Sequence, residues 1–399
     1  MLALAHLAAD IASSIALSDR TEIRLRQPGD FPPGASFDVA TTPEARVVLR
    51  SPRVDLTLDY GPRLTLWDVN DIGVKPTWLN IGSARARWHT DNTSLAVAEN
   101  ASYGASNFAG LAIPLGPDGT TLPRVDVVPP AQVIEYESSS TTLEARASGR
   151  RWDFRSTVGY QLSGGADAAA RTLIPLQRGP FAEADVTLSG TPVDRFTTTG
   201  TGEDTTFSSG PAIVLAEADE SWKHLWSATT DTTATLGASA ARVRASPSSA
   251  SYPMDNPVAE VALDQRILSA DDRVTVRVAA RLGPVVNRLL GVVDERAQGT
   301  VLSKWAHGPF LVSALANVQQ SVFTDTPYAT ELFVGELTVS YAASEIVTFD
   351  GGVRGVWQQG NQPLGSVASP SATEVAEINV AQGTVFLGAT FRAPTLGTP

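Results

Sequence analysis

The residues best suited to acid–base or metal chemistry are four histidines, His6, His89, His224 and His307, and they lie far apart in the chain. Three of them fall in or near short polar segments that read as turns, where solvation accounts for them. No HExxH or GxSxG segment occurs, and no glycine-rich loop stands between a strand pattern and a helix pattern. Cysteine is absent, which removes disulfides, thiolate metal sites and cysteine nucleophiles. We therefore expect no enzymatic activity, no metal and no cofactor. The enzymatic alternative left open is a hydrolase with an outward Ser/His pair brought together from different strands.

The charged side chains carry more information, because they recur at every second position opposite apolar ones. Asp55 and Asp59 alternate with Val54, Leu56, Leu58 and Tyr60, and Arg85 and Arg87 with Ala84, Ala86 and Trp88. Asp153 and Arg155 oppose Phe154, Val158 and Tyr160. Glu260, Asp264 and Arg266 oppose Ala259, Val261, Leu263 and Ile267. Arg277 and Arg281 oppose Val274, Val276, Val278 and Ala280, and Asp350 and Arg354 oppose Val347, Phe349, Val353 and Trp357. Successive side chains of a strand point to opposite faces, so this period gives strands with one apolar and one charged face, which a helix would scatter. Two roles fit such ladders equally: a transverse field that orders water and selects polar solutes in a pore, or cross-strand pairing that stiffens the wall.

The elements that position these residues are strands joined by alternating short and long connections. Short polar turns read at YGPR (Tyr60), HTDN (His89), SGRR (Ser148), TPVD (Thr191), TTDT (Thr229), SADD (Ser269), HGP (His307) and AASE (Ala342). Eight turns join sixteen strands, and one more strand at each end, near Arg20–Gln27 and Val380–Arg392, makes about eighteen, with sixteen the next choice. The fold class is therefore all-β, a transmembrane antiparallel β-barrel with both termini on the turn side, which is periplasmic in bacterial barrels. Tyr60, Trp88, Trp152, Trp226, Trp305 and Tyr341 stand beside short turns, and with Trp357 they form the expected interfacial girdle. From Val347 to Trp357 the strand rises ~25 Å at ~3.3 Å per residue and ~40° of tilt, the height of an apolar band.

Composition agrees. The 399 residues are 43% hydrophobic, with no apolar run near the ~18 residues a spanning helix needs. A net charge of −12 argues against nucleic-acid binding. Only Lys75, Lys223 and Lys304 are lysines; every other basic residue is an arginine, which stays charged and pairs bidentately with carboxylates. We divide the chain into residues 1–19, an export-signal remnant or periplasmic segment, a barrel over 20–392, and a tail over 393–399. Two long segments, from Asn107 and from Ser246, read as loops on the far side, and the first is the expected plug. PVVNRLLGVV from Pro284 also fits a short helix and reads as a loop or a constriction. A soluble sandwich or solenoid also alternates, but it has no reason to place aromatics beside every other connection.

The arginine bias, the hairpin ELTVSYAASEIVTFDGGVRGVWQ and the segment GTVFLGATFR with Gly388 and Phe391 resemble outer-membrane barrels of high-GC proteobacteria, particularly myxobacteria. The last segment resembles an assembly-signal strand, except that RAPTLGTP follows it. Eighteen-stranded barrels of polysaccharide export are similar in size and strand count. That resemblance implies a multi-pass protein of the outer membrane, in contact with its lipid, passing polysaccharide or small polar solutes beside a periplasmic polysaccharide-export protein. A general diffusion porin and a non-channel adhesin or structural barrel are the alternatives.

Overall fold

The computed structural model describes residues 12–27, 36–69, 73–107, 133–244, 251–268, 272–287, 292–322, 330–363, 375–394 and 396–397. In chain order the strands are β1 (Ala12–Gln27), β2 (Ser36–Arg50), β3 (Val54–Tyr60), β4 (Arg63–Val69), β5 (Gly73–His89), β6 (Thr93–Asn107), β7 (Val133–Ser148), β8 (Trp152–Gly165), β9 (Gln177–Ser189) and β10 (Asp194–Phe207). There follow β11 (Ala212–Leu225), β12 (Thr230–Arg244), β13 (Tyr252–Leu268), β14 (Asp272–Asn287), β15 (Val292–His307), β16 (Phe310–Val322), β17 (Thr330–Ala342), β18 (Val347–Pro363), β19 (Val375–Arg392) and the short β20 (Leu396–Gly397). One helix, α1 (Ala168–Leu173), lies between β8 and β9, and the Asp167 carboxylate caps it by accepting from the Ala170 amide at 2.7 Å.

Every neighbour is antiparallel, and β19 returns to pair with β1 from Ser18↔Arg392 to Gln27↔Gly383, closing the sheet into a barrel. Closure satisfies the backbone groups that an open edge would leave bare in lipid. β3 and β4 occupy one position in the wall, and β20 only extends the pairing of β1, so the barrel has eighteen strands. On one side of the barrel the described connections are all short, at 51–53, 90–92, 149–151, 190–193, 226–229, 308–309 and 343–346, and the expected turn at 269–271 lies outside the described residues. Gly308, at φ 53°, occupies the left-handed conformation that the two-residue turn between β15 and β16 needs. β1 starts and β19 ends on this turn side.

One expected turn is corrected. Tyr60–Arg63 lies within a strand: Tyr60 pairs with Ala45 and Gly82, Leu64 pairs with Thr41 and Trp78, and both registers run on unbroken across Gly61 and Pro62. The Gly61 amide keeps its bond to the Ile81 carbonyl at 2.9 Å, and Pro62 has no N–H to give, so the ladder is interrupted without turning. The turn is Ser51–Arg53 instead, where the Ser51 amide donates to the Val54 carbonyl at 2.8 Å and the Val54 amide to Ser51 Oγ at 3.0 Å. Tyr60 therefore stands in mid-strand, away from the turn-side ring.

The ends also differ from the expected boundaries. Residues 12–19 belong to the wall, as the first part of β1 paired with β2, and Leu396 and Gly397 of the tail pair with Ile15 and Ser14. Residues 1–11 and the expected plug from Phe108 to Gln132 lie outside the described residues. The segment from Pro284 is strand on both sides of residues 288–291, ending β14 and beginning β15.

The outer face carries large exposed apolar side chains along almost every strand, among them Leu58, Val97, Val158, Leu236, Val261, Val278, Val318, Val353 and Leu387. In lipid such a band is favourable, and in water it would be a continuous aggregation surface. Inside, a compact apolar cluster of Phe207, Ile213, Ala241, Val243 and Val293 sits at the long-loop end. A smaller one, Ile134 with Ala170 and Ile174, anchors α1 against β7.

Candidate functional site: the charged inner wall

Side chains on the concave face of a barrel converge, whereas those on the convex face diverge. Ion pairs that skip a strand therefore mark the inside. Arg85 of β5 reaches Glu144 of β7 at 2.8 Å over β6, Arg20 of β1 reaches Asp350 of β18 at 3.4 Å over β19, and Arg281 of β14 reaches Glu217 of β11 at 2.9 Å over two strands. Each lies on the face opposite most of the exposed apolar residues of its strand, Ile81 of β5 being an exception that shares the face of Arg85.

The charged ladders expected from the sequence come together on this face in three sectors. In the first, Asp59 accepts from Arg46 and from Ser83 Oγ at 3.1 Å, Asp55 lies 3.5 Å from His89 Nε2, and Arg87 donates to Ser94 Oγ at 3.4 Å. Glu144 is the centre of this sector, because Arg85, Arg146 and Arg155 all converge on its carboxylate. In the second, Arg277 bridges Asp264 at 3.3 Å and Glu260 at 3.5 Å, Arg281 bridges Glu217 and Glu260, and Arg266 with Lys223 contacts Asp231. In the third, Arg354 lies 3.9 Å from Glu336, and Arg24 donates twice to Glu22 at 2.7 Å.

Asp153 has no ion-pair partner among the described residues. With Arg87, Ser94, Arg146, Arg155 and Asp185 it lines a cavity of about 600 Å3 on the inner wall beside the turn at 90–92. This recess holds donors and acceptors of both signs within one volume, large enough for a sugar unit or two. Towards the long-loop end a buried ion pair leads into an amide network: Arg296 donates to Asp294 and Gln319, Gln319 to Asn317, and Asn317 to Thr300 at 2.7 Å.

Several partners were not among the pore-lining residues expected from sequence: Arg20, Glu22, Arg24, Arg46, Glu144, Arg146, Glu217, Lys223, Asp231 and Glu336. Glu22 and Arg24 alternate with Ile23 and Leu25, and Glu336 with Leu337, so period-two reading applied to those strands would have found them. Glu144 and Arg146 alternate only with Leu143, Ala145 and Ala147, a faint contrast. Among the described residues no group of histidine, aspartate and glutamate could hold a metal ion.

The aromatics form polar clasps on the outer face. Trp305 Nε1 donates to Asp272 Oδ1 at 2.9 Å while His307 Nδ1 contacts the same oxygen at 2.9 Å. Trp222 and His224 treat Asp194 in the same way, at 3.0 and 2.7 Å. Trp226 donates to Thr232, and Trp88, Trp152 and Tyr341 stand at strand ends on the turn side. Trp357 lies nearer the other end, opposite Phe333.

Among solved structures the chain is similar to the FrpB iron transporter of Neisseria meningitidis (F5-1 variant), with 8% identity, a TM-score of 0.52 and coverage of 94% of this chain and 82% of that one. It is also similar to OpdO of Pseudomonas aeruginosa, with 10% identity, a TM-score of 0.50 and coverage of 99% and 100%. OpdK of the same organism, solved with vanillate, has 8% identity, a TM-score of 0.50 and coverage of 96% and 99%. At these identities the likeness is one of fold. A search of curated proteins finds no match. The model of the EpsX exopolysaccharide export family matches residues 7–381, nearly the whole chain, and this closed eighteen-stranded barrel belongs to that family.

Proposed function

We propose that this barrel stands in the outer membrane and passes a secreted polysaccharide through its lumen in extended form, with the turn side towards the periplasm. Family membership supports the cargo, and the exposed apolar band supports the location. The observation that carries the reading is the pairing of the inner wall. Asp55, Asp59, Arg85, Arg87, Asp153, Arg155, Glu260, Asp264, Arg266, Arg277, Arg281, Asp350 and Arg354 are proposed to line the pore. Ten of the thirteen are engaged by opposite charges, so the wall offers many donors and acceptors with its field largely balanced. Conduction needs contacts that are numerous and individually weak, and such a wall suits a hydroxyl-rich chain sliding past it.

The recess beside Arg87, Arg146 and Arg155 lies at the turn-side mouth, where the polymer enters on this reading. A periplasmic polysaccharide-export protein delivers the chain there, and membrane lipid contacts the outer face. Small polar solutes pass the same lumen when no polymer fills it.

Export tests this reading. A strain lacking the protein should retain its polysaccharide in the periplasm. Wild-type protein should restore secretion, whereas a variant carrying Arg87→Ala and Arg146→Ala should assemble normally and restore it only in part. Full secretion in the deletion strain would overturn the proposal.

A further inference from the structure

We infer that the described loop-side ends of β14 and β15, residues 283–287 and 292–295, form a hinged gate, folded into the lumen and seated on an apolar patch of the inner wall of β10, β11 and β12. The inference rests on the barrel being a channel.

The hinge follows from where hydrogen bonding stops. The β13–β14 ladder ends at Ala259↔Leu282. Beyond it β13 runs back to Tyr252 paired only with β12, while β14 runs on to Asn287 paired only with β15. Continued, the register would set Val258 against Gly283 and Pro257 against Pro284. Two facing prolines have no N–H to exchange, and glycine beside one of them eases the departure of the strand. The wall is therefore unzipped on the β13 side, along a seam that the sequence itself encodes. On the other side β15 stays paired with β16 as far as Glu295↔Val322, so the hairpin can swing only beyond Leu282 and Glu295.

The seat follows from burial. Elsewhere in the wall buried and exposed residues alternate, because one face meets the membrane side. Val293, Asp294, Glu295 and Arg296 are successive and all 2% exposed or less, so this segment has protein on both faces. Val293 packs with Phe207, Ile213, Ala241 and Val243, and Val286, its register partner, joins them. Ile213 shares the inward face of β11 with Glu217, and Val243 shares that of β12 with Asp231. The hairpin face that would look out to lipid thus looks at the inside of the adjoining wall.

The seat has a built-in weakness. Glu295, on the same hairpin face as Val293, is 2% exposed, and neither carboxylate oxygen has a hydrogen-bond partner among the described residues. The charges acting on it are Glu217 and Arg281, and the Arg281 guanidinium is already held by Glu217 and Glu260. A buried, unpaired carboxylate opposes seating while the apolar cluster favours it. Opposed terms of this kind make an element bistable instead of fixed.

The absence of native cysteine makes a single introduced thiol unambiguous. Val293→Cys protein, checked for folding by heat-modifiable migration, would be recorded in a planar bilayer while a charged, water-soluble thiosulfonate is added. The gate predicts two conductance levels, reaction during the higher level only, and a labelled barrel locked at that level. Glu295→Gln, which keeps the shape and removes the charge, should lower the time spent at the higher level severalfold. A barrel that conducts at one steady level, with the thiol unreactive and Glu295→Gln unchanged, would overturn the gate and leave the channel intact. A folded wild-type barrel that never conducts would overturn both.

Discussion

Arg281 of β14 donates to Glu217 of β11 at 2.9 Å, across the two strands that separate them, and the same guanidinium lies 3.6 Å from Glu260 of β13. One side chain thus ties three strands together on the concave face, just below the seam where β13 and β14 part. Register sets Glu260 directly opposite Arg281, whereas Glu217, three strands away, comes within reach only because the sheet curves inward.

Replacing Arg281 with glutamine should leave Glu217 and Glu260 without their shared partner. Stability should fall by about 1–3 kcal/mol, the usual cost of leaving a largely buried polar group unsatisfied. The lumen should also become more cation-selective. Thermal unfolding and reversal potentials in a salt gradient read the two effects, and a shift towards anions would contradict the assignment of this face to the pore.

Glu144→Gln should act in the opposite direction. Arg85, Arg146 and Arg155 lose the carboxylate on which they converge, so the turn-side mouth gains effective positive charge. Reversal potentials should move towards anions, and an acidic oligosaccharide should block current for longer from that side than from the other.

The two faces of one hairpin can be separated by arginine. Val261→Arg, near the middle of β13 on the outer face, should destabilise the barrel in lipid by about 2–4 kcal/mol. Thr275→Arg, on the inner face opposite Arg266, should cost much less and register mainly as a change in conductance. Equal destabilisation would mean that the faces are misassigned.

Insertion distinguishes a turn from a strand at Gly61–Pro62. A short epitope placed there should abolish the heat-modifiable folded form, because it breaks pairing with both β2 and β5. The same epitope after Asn92, in a described turn, should be tolerated. Normal folding of the first insertion would restore the turn.

The sequence was most legible where side-chain contrast is strong. RVTVRVAAR sets arginine against valine, and its partner sets Glu260 and Asp264 against Val261 and Leu263, so faces, hairpin and pairing all followed from period two. Alanine-lined strands were harder: Ala145 and Ala147 barely differ from their polar neighbours, and Glu144 stayed hidden although three arginines converge on it. Gly61–Pro62 misled for a different reason. Glycine and proline punctuate both turns and interrupted strands, and the deciding fact is the register with β2 and β5, which no local window contains. The exchange of one turn for another, at Ser51–Arg53, left the strand count unchanged. The stretch from Pro284 kept no clear period because a hairpin folded into the lumen has protein on both faces, and valines at 285, 286, 292 and 293 suit either.

The central claim is that the lumen conducts and that polysaccharide occupies it. The most direct measurement is single-channel current from the purified, refolded barrel in a planar bilayer, with oligosaccharide of the secreted polymer added to one side at a time. Stable conductance interrupted by sugar-dependent blocks, with shorter waiting times from the turn side, is the predicted result. Silence from folded protein, or conductance indifferent to the sugar at every concentration, would contradict it.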